Sequence, residues 1–140
     1  MNETLVRPEN QQDSDKPIVL VVEDAESIRK LLAMNLKRQG YRVLMAANGQ
    51  IALQALKAYP DVKAIILDMM MPIMNGPIFI SQARKLGFKA IPIIVLTGMN
   101  DFTREDRLEK LKRAGVNKVL TKPVDLDCLN QALTDILPIG

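Results

Sequence analysis

The sequence predicts an α/β fold in which five βα units build one doubly wound parallel sheet with helices on both faces. Three observations carry this. Short apolar runs alternate with longer stretches of helical period along residues 17–137. Runs such as IVLVV (18–22) and AIIL (64–67) are apolar throughout, as strands are when both faces of a sheet are covered. The helical stretches also carry readable stops, with Gly40, Gly87 and Gly115 each following one.

Residues 1–16, MNETLVRPENQQDSDK, are polar and aperiodic, and read as a flexible N-terminal tail ahead of a single domain over 17–140. The first strand is expected at 18–22 and the first helix at 26–39, ending at Gly40. RVLMA (42–46) is the second strand. Asn48 can cap a helix over 49–59, where Ala52, Ala55, Leu56 and Tyr59 fall on one face. The third strand is 64–67. Pro77 suits the first turn of a helix over 77–86. IPIIVLT (91–97) is the fourth strand, and Thr103 with Asp106 resembles a capping box for a helix over 104–114. VNKVLT (116–121) is the fifth strand. Asp125 caps a last helix over 126–136, with Leu126, Leu129, Leu133 and Ile136 inward.

Composition narrows the function classes. With 48% apolar and 25% charged residues the chain is an ordinary soluble globule with an aliphatic, Met-filled core, since Trp is absent. No apolar run reaches the ~20 residues of a membrane span, and no signal-peptide layout opens the chain. The single Cys128 forms no internal disulfide, which fits a reducing cytoplasm. It reads as a small core or boundary residue. The sequence has no His, which excludes the usual zinc sites and imidazole acid–base catalysis. The net charge of +3 combines an acidic tail with a basic body. The densest basic cluster, Lys110, Lys112, Arg113 and Lys118, is interrupted by Glu105, Asp106 and Glu109. It reads as a solvated face, not a nucleic-acid stripe.

The chemistry lies at the strand ends. In parallel α/β sheets ligands sit outside the carboxyl ends of the strands. Strand one ends in Glu23-Asp24, strand three in Asp68, strand four in Thr97-Gly98 and strand five in Thr121-Lys122-Pro123. Asp24 also sits where it can cap the helix at 26. Two like charges ~4 Å apart cost on the order of 4 kcal/mol at an effective dielectric of ~20. The three acids must protonate or recruit a cation. An all-oxygen cluster suits Mg²⁺, which accepts a phosphate oxygen as co-ligand. Lys122 adds a point charge suited to phosphate, and Thr97 a donor. A carboxylate so placed can attack a phosphoryl group, which makes Asp68 a candidate aspartyl phosphate. Met69, Met70 and Met71, which follow it, read as adaptable packing.

Taken together, Glu23-Asp24, the run DMMMPIMNG (68–76), Thr97-Gly98 and Lys122-Pro123 resemble the receiver domains of two-component response regulators, over about residues 17–137. The resemblance is to stand-alone, chemotaxis-regulator-like receivers. It implies a flavodoxin-like sheet of strand order 2-1-3-4-5. It implies Asp68 as phosphoacceptor, with Glu23, Asp24, Asp68 and the Met70 carbonyl around Mg²⁺, Thr97 and Lys122 gripping the phosphoryl group, and a cis Lys122-Pro123 bond. The implied partners are a histidine kinase or histidine phosphotransfer protein and an unknown downstream protein target, with no direct nucleic-acid or membrane contact. Residues 124–140 suffice for one helix, so output is expected in trans. The chain opens on Met with its own tail and reads as a separate receiver, not one cut from a hybrid kinase. A phosphate sink, or a phosphatase or phosphotransferase working through an aspartyl phosphate, is the alternative. Against an enzyme, Met70 stands where a second acid would serve as acid–base. The chain is therefore expected to be a switch that assists its own phosphorylation and dephosphorylation. Two positions depart from the family's habit: Glu23, where Asp is common, and Val119, where Tyr or Phe is usual. Valine is stiff at χ1, so phosphorylation is expected to shift segment 98–103 while Val119 stays packed.

Overall fold

The computed structural model describes residues 16–69, 71, 74–98, 109 and 111–137. Its elements are β1 (Ile18–Val22), α1 (Glu26–Arg38), β2 (Arg42–Ala46), α2 (Gly49–Ala58), β3 (Val62–Asp68), α3 (Gly76–Lys85), β4 (Ile93–Thr97), β5 (Val116–Thr121) and α4 (Leu126–Ile136). All neighbouring strands are parallel, in the order β2-β1-β3-β4-β5. This is the expected flavodoxin-like, doubly wound sheet. Residue 109 and residues 111–113 are helical. Ala114, the last residue of the expected 104–114 helix, is in a turn; residues 104–108 and 110, the Thr103–Asp106 cap and residues 1–15 of the expected tail over 1–16 lie outside the described residues.

Every residue of β1 is buried, because both sheet faces are covered. Ile18, Leu20 and Val22 join one cluster with Ala52, Leu56, Phe79 and Ala83 of α2 and α3. Val19 and Val21 join the opposite cluster with Leu32, Leu36, Leu129 and Leu133 of α1 and α4. Period-two alternation in this interior strand thus feeds two cores. Met69 and Met71 are 5% and 8% exposed and belong to the first cluster, so they are packing residues.

The helices stop where the glycines stand. Gly40 (φ +98°) and Gly87 (φ +100°) each follow a helix in the left-handed region. At both, the next amide bonds back across the last turn, Tyr41 N to Leu36 O and Phe88 N to Ala83 O, each at 3.1 Å. At the other ends, Asn48 Oδ1 accepts from Ile51 N and Asp125 Oδ1 from Asp127 N, both at 2.9 Å. Helix α3 starts one residue before the expected 77, because Asn75 Oδ1 caps it at Ile78 N. Ala25, not Asp24, is the N-cap of α1, and it makes no side-chain capping bond. Asp24 is thereby released from the structural role its position suggested. Cys128 is exposed, which overturns its reading as a core or boundary residue.

Two strands differ from expectation at polar interruptions. β3 starts at Val62, with a register shift against β1 that leaves Lys63 without a partner and exposed. β4 starts at Ile93, after Pro92, which has no N–H for a ladder. A matching shift leaves Asn117 unpaired in β5, and its side-chain oxygen takes the Ile93 amide at 3.1 Å. Above this bulge the register puts Thr97 opposite Thr121, and Lys122 N reaches Thr97 O at 2.7 Å.

The opposite rim of the sheet is tied by Arg84. Its guanidinium donates to the carbonyls of Phe88 (2.6 Å), Ile91, Ala114 and Gly115 (each 3.1 Å), joining the segments that lead into β4 and β5. Arg84→Met keeps the stem and orphans these acceptors. Unfolding free energy is expected to fall by about 3 kcal/mol, since bonds to a charged donor contribute roughly 1.5–3 kcal/mol each and the site is partly wet. Urea titration checks this. A lower midpoint at unchanged slope is the expected result.

Candidate functional site

The site is built where chain direction forces polar residues together. β1 delivers Glu23 to the rim, where its amide still extends the ladder to Ala46 O at 3.1 Å. β3, adjacent, ends in Asp68, and the next amide, Met69 N, bonds Leu96 O at 2.9 Å. Gly76 then closes on Met69: its amide donates to Met69 O at 3.0 Å, and a Cβ there would stand 2.8 Å from Met69 Sδ. The Asn-Gly after the methionines is therefore a cap followed by a close approach.

Glu23, Asp68 and Thr97 are each 1% exposed, whereas Asp24 is exposed. One carboxylate oxygen from each of Glu23, Asp24 and Asp68 lies within 4.8 Å of the others. Lys122 Nζ donates to Asp68 Oδ1 at 2.7 Å and stands 3.7 Å from Glu23 Oε1. The second separation is an ion-pair approach but too long for a hydrogen bond. Glu23 Oε2 accepts from Ala25 N at 3.3 Å, while Oε1 is buried with no hydrogen-bond partner among the described residues. The Thr97 hydroxyl makes a long 3.4 Å bond to Gly98 O. The structure thus brings together Glu23, Asp24, Asp68 and Lys122, as expected from sequence, with Thr97 at the end of the adjoining strand β4. Met70 lies outside the described residues, as do 99–103 of the segment expected to move. Val119 is half-buried against the α2–α3 cluster. The Lys122-Pro123 bond is cis, as the resemblance implied.

Burial, then the neighbouring Asp68 carboxylate, push the Glu23 carboxyl from 4.5 up to about 8, and Lys122 opposes this without cancelling it. Burial alone would lower Lys122, but its bond to Asp68 and the charges of Glu23, Asp68 and Asp24 leave it raised. This donor set fits a hard divalent cation. It offers only oxygens, two of its acids are buried side by side, and one buried oxygen has no hydrogen-bond partner among the described residues.

A pH dependence follows. A carboxyl raised on folding favours the folded state below its unfolded value, and that advantage is lost as pH rises through the folded value. Metal-free protein is therefore expected to lose stability between about pH 4.5 and 8, by several kcal/mol at most. Millimolar Mg²⁺ is expected to flatten or reverse the slope, because ionised Glu23 then has a cation. Chemical denaturation at pH 6 and pH 9, with Mg²⁺ or with chelator, checks the sign.

Sequence reasoning missed Arg29, which is 7% exposed and donates through Nη1 to Glu23 O (2.8 Å) and Asp24 O (3.3 Å). The available signal was its spacing, since Arg29 shares one helix face with buried Leu32, Ala33 and Leu36.

An acid cluster, a hydroxyl and an ammonium at the carboxyl rim of a parallel sheet stand where doubly wound α/β domains bind their ligands. Residues 19–134 match the response regulator receiver domain family. The chain belongs to this family: it is a receiver domain of two-component systems, a class of phosphoacceptor switches phosphorylated on aspartate by kinases. It is 36% identical over 121 residues to the chemotaxis protein CheY1 of Helicobacter pylori, covering 85% of this chain and 95% of that protein. It is 36% identical over 132 residues to the autoinducer 1 sensor kinase/phosphatase LuxN of Vibrio campbellii, covering 94% of this chain but only 15% of that protein's length. Among solved structures, the chemotaxis protein CheY4 of Vibrio cholerae superimposes with a TM-score of 0.77 at 31% identity, covering 87% of this chain and 99% of that one. A response regulator receiver protein from Pseudomonas putida gives 0.78 at 29% identity, covering 86% and 97%. No helix among the described residues is long and apolar enough to cross a membrane.

Proposed function

We propose that this receiver takes a phosphoryl group on Asp68 from a histidine kinase or histidine phosphotransfer protein, in a Mg²⁺-dependent reaction, and signals through a protein partner in trans. The observation that supports this is the buried Asp68 carboxylate bonded to Lys122 at 2.7 Å beside two further carboxylates. Glu23, Asp24, Asp68 and the Met70 carbonyl would hold the metal. When bound, Mg²⁺ supplies charge neutralisation for the phosphoryl oxygens. An Asp68 oxygen forms the new O–P bond as the N–P bond to the donor imidazole breaks. The electron pair leaves with that nitrogen, which takes a proton from solvent. The Lys122 ammonium then passes from the carboxylate to the phosphoryl oxygens, and the Thr97 hydroxyl donates to them. No side chain is called on to abstract a proton, consistent with a chain that has no His.

The test is intact mass after incubation with a small phosphodonor. One added phosphoryl group is expected with Mg²⁺, and none when chelator replaces it. Uptake independent of a divalent ion would reject the metal's role. Repeated hydrolysis of a simple phosphoester would favour the phosphatase alternative over a switch.

A further inference from the structure

The turn between β1 and α1 carries two of the three clustered acids, yet little in its own sequence holds it. The N-cap residue, Ala25, has no capping side chain. The Ala25 amide donates to Glu23 Oε2 at 3.3 Å, the carboxylate that would turn toward a cation. The firmest tie is the buried guanidinium of Arg29, which folds back along its own helix to bind the carbonyls of Glu23 and Asp24 through one nitrogen. These carbonyls belong to the peptides that flank the Cα of Asp24, so their orientation sets the direction in which the Asp24 side chain leaves the chain.

We infer that Arg29 is a positioning residue for the divalent cation: by fixing these two carbonyls it aims the Glu23 and Asp24 carboxylates at the space beside Asp68. The inference rests on the Mg²⁺ reading of the site. Partners that orient metal ligands typically change affinity by 10–100-fold when removed. Charge predicts the opposite sign. If Arg29 acted only as a nearby positive charge, removing it would tighten cation binding.

Calorimetric Mg²⁺ titration of the folded protein separates these cases, with metal-free thermal stability measured in parallel. Arg29→Met is expected to bind Mg²⁺ about 10–100-fold more weakly. Arg29→Lys keeps the charge but has no planar fork, and is expected to fall between Arg29→Met and the wild type. If Arg29→Met does not fold, the lysine variant decides: weaker binding at unchanged charge supports positioning, and wild-type affinity overturns it. A lower melting temperature with unchanged Mg²⁺ affinity, or tighter binding in Arg29→Met, also overturns it. Asp24→Asn is the control. If the wild type binds no Mg²⁺, or Asp24→Asn binds it as the wild type does, the metal reading fails and the inference with it.

Discussion

Asp68→Asn is expected to abolish phosphoryl uptake while the sheet stays folded. The amide has the shape of the carboxylate and still accepts a hydrogen bond from Lys122, so the 2.7 Å contact that closes the pocket has a substitute. It has no anionic oxygen to attack phosphorus. Loss of a nucleophile costs on the order of 10⁴-fold or more in rate. Asp24→Asn leaves the nucleophile in place and removes one expected metal ligand, so it should slow uptake without eliminating it. Intact mass over time distinguishes the two. Labelling of Asp68→Asn at the wild-type rate would move the acceptor to another residue. The same substitution has a second signature. The Asp68 charge is one cause of the raised Glu23 carboxyl, so the pH window over which metal-free protein loses stability should narrow.

The acids, Thr97 and Lys122 were legible because connectivity alone sends them to one rim. In a parallel sheet every strand's carboxyl end faces the same way, so apolar runs that stop at polar residues locate a pocket without any knowledge of side-chain geometry. Most helix ends were legible from local signals, since Gly40, Gly87, Asn48 and Asp125 act within a few residues of themselves, whereas the strand order came from the family resemblance. What could not be read depends on contacts distant in sequence. The bulges at Lys63 and Asn117 answer to the neighbouring strand, and so moved the starts of β3 and β4. Arg84 gathers carbonyls up to 31 residues away. Arg29 was overlooked although its spacing puts it on the buried face of α1, because nothing local shows that its guanidinium folds back onto the Glu23 and Asp24 carbonyls. The exposure of Cys128 was also hidden, since one small residue in a helix leaves little periodic signal.

Lys122→Met is expected to tighten Mg²⁺ binding, in contrast to Arg29→Met. The ammonium holds Asp68 Oδ1 at 2.7 Å and faces Glu23 Oε1 at 3.7 Å, so an arriving cation competes with it for the same carboxylates. Without it two buried acids face each other and lose the ammonium between them, and Glu23 loses the influence of Lys122 that lowers its carboxyl. Metal-free Lys122→Met should therefore be less stable than the wild type, by roughly 3 kcal/mol, since breaking a pair with one member buried strands a charge. Mg²⁺ relieves that strain directly. Affinity should rise about 10-fold or more, the equivalent of ~1.4 kcal/mol, which is modest beside the repulsion of a divalent and a monovalent ion a few ångströms apart. Phosphorylation should persist, because all three acids, the nucleophile among them, remain, but the phosphoryl group loses a charge-assisted bond of roughly 1.5–3 kcal/mol. Any response that depends on that bond should weaken accordingly. The measurement is the same Mg²⁺ titration applied to both variants. Each removes a single positive charge near the acidic cluster. One cation competes with the metal for its ligands, while the other holds the ligands in place from behind, so the dissociation constants should move in opposite directions. Weaker Mg²⁺ binding by Lys122→Met would show that the ammonium organises the carboxylates more than it competes for them.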